Sequence, residues 1–151
     1  MSEVERTVTL RAITKDNLRD IIRLQVAPNQ QRFVAPNAVS LAEAHFEPEL
    51  PWFRAIYADD IPVGFLMLEY DSAETSYNLW RFMIDERYQG LGYGRKALEL
   101  LFAHVKTLPG KDVLYTHCVP AEDGPCPFYE KMGFVYTGEE EGGGVWMRRT
   151  L

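Results

Sequence analysis

Apolar and polar residues alternate over Val8–Ile13 (VTLRAI), and a period of two predicts a strand. From Lys15 to about Gln25 the period changes. Leu18, Ile21, Ile22 and Gln25 recur at helical spacing, with Thr14 placed as a cap. A turn-rich loop, VAPNQQRFVAPN, follows. Ser40–Leu41–Ala42–Glu43 has the form of a capping box and predicts a short helix to about His45. Trp52–Ala58 and Val63–Tyr70 read as strands joined by a turn at Asp59–Pro62, and Asn78–Ile84 reads as a third. Beyond a glycine-rich stretch, Ala97, Leu98, Leu101, Phe102 and Val105 share one face of a predicted helix. Val113–Cys118 is a further strand. A loop with Pro120, Gly124, Pro125 and Pro127 then enters a short helix around Phe128–Met132, ended by Gly133. Val135–Thr137 and Val145–Arg149 form a closing hairpin across EEEGGG. The order predicts a single α/β domain over residues 1–151, built on a mixed sheet.

Composition narrows the classes of function. The 151 residues are 46% hydrophobic, which is enough for a substantial core. The formal net charge is −6, which argues against a nucleic-acid binder and is compatible with a cationic small substrate. No stretch approaches the roughly 20 apolar residues that span a bilayer. The N-terminus MSEVERTVTLRAITKD has no apolar run of the kind a signal peptide needs. Two cysteines, Cys118 and Cys126, do not make a disulfide framework, and Cys126 reads as a small apolar side chain. The expectation is a cytoplasmic protein with no membrane and no nucleic-acid partner.

Candidate chemistry centres on residues 87–98, RYQGLGYGRKAL, where Gly90, Gly92 and Gly94 sit at alternate positions just before a helix. Each glycine costs a helix about 1 kcal/mol relative to alanine. A glycine-rich turn at a helix N-terminus exposes backbone N–H groups and lets an anion approach the main chain, which points to a phosphate or pyrophosphate ligand. A P-loop is excluded, because Gly94 is followed by Arg95–Lys96–Ala97 rather than Lys-Ser/Thr. Gly92-x-Gly94-x-x-Ala97 fits the loose dinucleotide pattern, with Asp112 at about the right spacing. Asp112, however, precedes its strand, and little chain remains for a dinucleotide fold.

The same residues match Gln-x-x-Gly-x-Gly as Gln89, Gly92 and Gly94, and Phe128–Phe134 (FYEKMGF) follows about 40 residues later with a strand between. With these motifs the chain resembles the GCN5-related N-acetyltransferases (GNAT) over most of its length. Leu24–Gln25–Val26, Asn29–Gln30, Phe33–Val34, Ser40–Leu41 and the run Ile84 to Gly90 are similar to the bacterial spermine/spermidine branch. The resemblance implies a GNAT fold: about seven strands with the central pair splayed and about four helices. It also implies acetyl-CoA as co-substrate, no metal, a small-molecule amine as acceptor and a possible homodimer.

On this resemblance the pyrophosphate lies on the main chain of Gln89, Gly90, Leu91, Gly92, Tyr93, Gly94 and Arg95, with Arg95 and Lys96 supplying charge. The pantetheine arm pairs with the backbone of Met83 and Ile84, and Lys131 reaches toward the phosphates. Tyr129 matches the tyrosine that protonates the departing thiolate. Relatives in the polyamine branch carry an acid just before the arginine matching Arg81, whereas this chain has Trp80. The candidates for the base are then Glu69 and His117, histidine being the side chain that titrates nearest neutrality. The family's asparagine and alanine, seven and four residues before the tyrosine, are replaced by Glu122 and Pro125. Phe33, Trp52, Tyr70, Tyr77 and Trp80 offer aromatic surface for the acceptor. Glu47, Glu49, Asp71 and Glu74 offer an acidic rim. The expected activity is direct acetyl transfer to a primary amine, polyamine-like first and an amino acid or amino-antibiotic second. The alternative is an acyl-CoA-binding sensor that keeps the fold without turnover.

Overall fold

In the computed structural model, which describes residues 5–47, 51–110 and 112–151, the strands form one seven-stranded sheet. They are β1 (Val8–Arg11), β2 (Trp52–Ala58), β3 (Ile61–Asp71), β4 (Ser76–Ile84), β5 (Val113–Cys118), β6 (Val135–Glu141) and β7 (Gly144–Thr150). The order across the sheet is β1-β2-β3-β4-β5-β7-β6, and every neighbouring pair is antiparallel except β4 with β5. Four helices cover it: α1 (Leu18–Arg23), α2 (Asn37–His45), α3 (Tyr93–Lys106) and α4 (Cys126–Lys131).

Alternation along the strands divides the core in two. Leu66, Leu79, Leu114 and Met147 point to the α3/α4 side, where they meet Ala97, Leu98, Leu101 and Tyr129. Phe65, Met67 and Met83 point the other way and meet Ile21 of α1, Leu24 just after it and Ala44 of α2. Side chains such as Phe65, Ile21 and Leu98 are fully buried, and each such burial stabilises the fold by about 1.5–3 kcal/mol.

Two departures from the sequence expectations concern helix starts. Ser40 is not a cap. The helix begins a turn earlier, after Pro36, whose fixed φ suits a helix entrance, so Ser40 is a buried mid-helix residue and Glu43 pairs with Arg81 instead of the backbone. The first helix is also shorter than Lys15 to Gln25. Thr14 and Asn17 form a turn, with the Thr14 N–H donating to Asn17 Oδ1 at 2.8 Å, and α1 starts at Leu18.

The feature that positions the site lies in the middle of the sheet. β4 and β5 pair over only three positions, Tyr77↔Leu114 to Leu79↔Thr116, and then part. At the same level β4 bulges against β3: Leu79 faces Leu68 and Arg81 faces Met67, leaving Trp80 without a partner. A bulge of this kind bends a strand and raises its twist, which carries β4 away from β5. The buried Thr116 hydroxyl donates to the Leu79 carbonyl at 3.2 Å, the last bond across the pair before the fork.

Candidate active site

A cleft of about 1080 Å³ opens at the fork. Its floor is the unpaired half of β4. One side is the turn leading into α3, and another is the loop before α4.

The turn is built by glycines with different tasks. Gly90 and Gly92 adopt φ of +76° and +84°, a region side chains disfavour, and a Cβ at either would meet no atom within 4 Å. They shape the backbone and leave its face open. Gly94 is helical, and a Cβ there would press on Phe82 Cζ at 3.3 Å, so this glycine serves packing. Gly92 is the N-cap of α3, and Lys96 N–H returns to its carbonyl, so the N–H groups of Gly92 through Arg95 have no partner within the helix. They form a positive, open cradle of the kind that holds phosphate oxygens. The residues present therefore fit the pyrophosphate of a coenzyme.

The Gln89 side chain braces this turn. Its Nε2 donates to Ile84 O at 2.8 Å and to Gln30 Oε1 at 2.8 Å, tying the turn to the end of β4 and to the 3-10 turn Pro28–Gln30. The Ile84 carbonyl, expected to pair with a pantetheine arm, is thus already engaged. Buried Asp85 reinforces the same corner. It accepts from Gln25 N–H at 2.9 Å and from Arg87 N–H and Nε at 3.0 and 2.9 Å. Burial pushes the Asp85 carboxyl up, but these bonds and the Arg87 charge outweigh it and leave the pKa lowered.

Met83, Ile84, Gln89, Gly90, Gly92, Tyr93, Gly94 and Arg95 all line the cleft, Tyr93 with its side chain buried in the core. Leu91 stands in the same turn with its side chain 52% exposed, so only its main chain can serve the cradle. One expectation changes: Lys131 at the end of α4 is exposed and does not line the cleft. Lys96 is engaged elsewhere, with Glu5 at 2.7 Å.

Tyr129 sits in the second turn of α4, buried among Phe82, Phe128 and Phe134 on the α3/α4 side of the fork. Burial pushes its phenol up to about 12, against the opposing effect of the Thr116 hydroxyl. It is therefore a proton donor at neutral pH. Its helix is fastened by a feature the sequence did not suggest. Cys118, the last residue of β5, and Cys126, the first of α4, form a disulfide, so neither is a separate thiol or simple apolar filler.

The candidates for the base lie on the opposite face of the sheet. Alternation from Thr116 and Leu79 puts His117 of β5 and Asn78 and Glu69 of β4 and β3 on the α1/α2 side. Asn78 Nδ2 donates to Glu69 Oε1 at 2.7 Å, and both residues line the cleft. His117 is exposed there, edge-on to Trp146 at 5.1 Å. The bulge also places Trp80 and Arg81 on this side, and Arg81 reaches Glu43 of α2 at 3.0 Å. Of the expected acidic rim, Glu47, Asp71 and Glu74 stand outside the cleft, and Glu49 lies outside the described residues. The carboxylates that do line it are Glu69, Asp123 and Glu141. Asp123 crosses the mouth to Arg32 Nη2 at 2.7 Å. Nothing in the local sequence around Asp123 or Glu141 signals this, because their cleft partners, Arg32 for Asp123 and His117 for the Glu141 carbonyl, lie far along the chain.

The architecture has close counterparts. An acetyltransferase from Thermus thermophilus superposes with a TM-score of 0.74 at 22% identity, covering 97% of this chain and 99% of that one. A GNAT family acetyltransferase from Elizabethkingia anophelis, solved with acetyl-CoA bound, superposes at 0.69 with 14% identity, covering 99% and 100%. In sequence, the spermine/spermidine N(1)-acetyltransferase of Bacillus subtilis (strain 168) is 32% identical over 142 residues, covering 88% of this chain and 91% of its own. Residues 15–134 match the acetyltransferase (GNAT) family, and the chain belongs to it as an acetyl-CoA-dependent N-acetyltransferase.

Proposed function

We propose that the protein moves the acetyl group of acetyl-CoA to a primary amine of a small cationic molecule, polyamine-like in the first instance and an amino acid or amino-antibiotic in the second. The observation that carries this reading is the fork after Leu79 and Thr116. It opens one cleft with the glycine cradle and Tyr129 on one side and Glu69, Trp80, His117 and Trp146 on the other. Aromatic faces and carboxylates suit an ammonium ion. The polyamine preference also draws on the similarity to the Bacillus subtilis spermine/spermidine enzyme.

The chain's residues divide the proton work. A group on the α1/α2 side, His117 or Glu69, removes one proton from the ammonium. The free amine then bonds to the acetyl carbon as the carbon–sulfur bond breaks. Tyr129 gives its phenolic proton to the departing sulfur, and the surplus proton on the new amide nitrogen returns to the phenolate oxygen. The backbone of Gly90 to Arg95 holds the phosphates, and Met83 lies along the arm between cradle and fork.

The test is an acetylation screen of polyamines, amino acids, amino-antibiotics and peptides with free-thiol detection, paired with thermal shift. Acetyl-CoA should raise the melting temperature, NAD should not, and at least one amine should release thiol. Stabilisation by NAD alone would overturn the reading. Stabilisation by acetyl-CoA with no turnover on any amine would replace it with the sensor.

A further inference from the structure

The three consecutive glycines at the β6–β7 turn, Gly142, Gly143 and Gly144, are not explained by acetyl-CoA binding, and they do not share one task. Gly142 and Gly143 have φ of +58° and +82°, so they are the two central residues of a tight hairpin turn that needs positive φ at both. Gly144 has no such requirement. It pairs with Glu141 as the first residue of β7, and a Cβ built on it would overlap the imidazole of His117. A side chain there is barred chiefly by the histidine ring, the Cys118 carbonyl oxygen at 3.0 Å being the looser contact. On the other flank, His117 Nε2 lies 2.8 Å from the Glu141 carbonyl. A carbonyl only accepts, so in the neutral ring the proton sits on Nε2 and the lone pair on Nδ1. Trp146, opposite His117 in the β5–β7 register, lies edge-on to the ring, and its Nε1 donates to Glu141 Oε2 at 3.0 Å, which fastens the hairpin end.

We propose that the β6–β7 turn is the positioning device for the base of the acetyl transfer: the Glu141 carbonyl and the space left by Gly144 hold His117 as the Nε2–H tautomer, so that Nδ1 takes the proton of the acceptor ammonium. The inference rests on the acetyltransferase reading for the proton's source, but the tautomer and its positioning stand on the geometry alone. It chooses His117 over Glu69, whose Oε1 is already engaged by Asn78. The proton gained at Nδ1 leaves to solvent through the exposed face of the ring, and the Nε2–H bond to Glu141 persists throughout.

Two measurements test it. Nitrogen-15 NMR of the whole protein, assigned with a His117→Gln control, should show that the neutral form of His117 carries its proton on Nε2. A neutral form protonated on Nδ1 would overturn the proposal whether or not any amine is acetylated. In kinetics with the amine found by the screen, Gly144→Ala should lower kcat by roughly 10²-fold, the usual worth of a general base, with the KM for acetyl-CoA unchanged. In a His117→Ala background the same change should lower kcat no further, since the ring it displaces is gone. Full kcat in Gly144→Ala, or an equal loss in both backgrounds, would overturn the positioning role.

Discussion

The disulfide between Cys118 and Cys126 joins the end of β5 to the start of α4 across a Cα–Cα distance of 5.8 Å, three residues before Tyr129. The helix that carries Tyr129 is therefore tied to the strand that forms one arm of the fork. Unfolded, unreduced protein should show no reactive thiol, against two after reduction. Cys118→Ser should lower stability by about 2–3 kcal/mol, the worth of closing a short loop. It should also lower kcat more than it raises the KM for acetyl-CoA, because the cradle on α3 is untouched. Two reactive thiols in the unreduced protein would refute the linkage.

Gly92→Glu should abolish acetyl-CoA binding by calorimetry. A carboxylate would stand in the open face of the cradle, and the residue would be held at a φ of +84°. Gly94→Ala makes the contrast. Its Cβ meets Phe82 and Phe128 rather than the cradle, so melting temperature should move more than coenzyme affinity. Unchanged affinity in Gly92→Glu would remove the turn from the binding site.

Tyr129→Phe should lower kcat with little change in the KM for acetyl-CoA. The phenol's folded pKa, about 12, lies above its unfolded value near 10. Its protonated form is thus favoured by the fold, and that contribution is complete below pH ~10 and lost as pH rises toward ~12. No alkaline loss of activity below pH ~10 should belong to Tyr129. An alkaline limb that vanishes in Tyr129→Phe within that range would contradict this.

Asp85 sets the opposite pH dependence. Its folded pKa is lowered, so its contribution is present above the unfolded carboxylate value near 4 and fades as pH falls below it. Asp85→Asn should destabilise the protein at pH 7 by about 1–3 kcal/mol, since Arg87 and the Gln25 N–H lose their charged partner. The difference between variant and wild type in denaturant melts should shrink as pH is lowered. A constant difference would show that the carboxylate charge is not the cause.

Much of this is legible along the chain. Val113–Cys118 is a strand with the limits read from the sequence, and Ala97, Leu98, Leu101, Phe102 and Val105 are all buried on one face of α3. The cradle is legible because glycines at positive φ leave a mark in composition. Gly94 looks like its neighbours in sequence, yet its reason is the ring of Phe82 across the fork. Ser40–Glu43 imitates a cap because the local pattern hides the effect of a proline one turn earlier, and the true partner of Glu43, Arg81, is 38 residues away. The cysteine pairing is hidden because a strand, a loop and a helix must fold before the two sulfurs meet. Asn78 and Glu141 join the site through cross-strand register, which composition does not carry.

The unpaired Trp80 gives β4 a change of parity. Before it, odd-numbered Tyr77 and Leu79 belong to the α3/α4 core, and after it even-numbered Phe82 and Ile84 do. Shortening the strand by one residue would restore a simple alternation and turn half of its side chains inside out. The face that carries Trp80 and Met83 would exchange places with the α3/α4 hydrophobic layer. Along this strand the fold can absorb a change of residue far more easily than a change of count, so insertions and deletions between 76 and 84 should be lethal to activity where many substitutions are not.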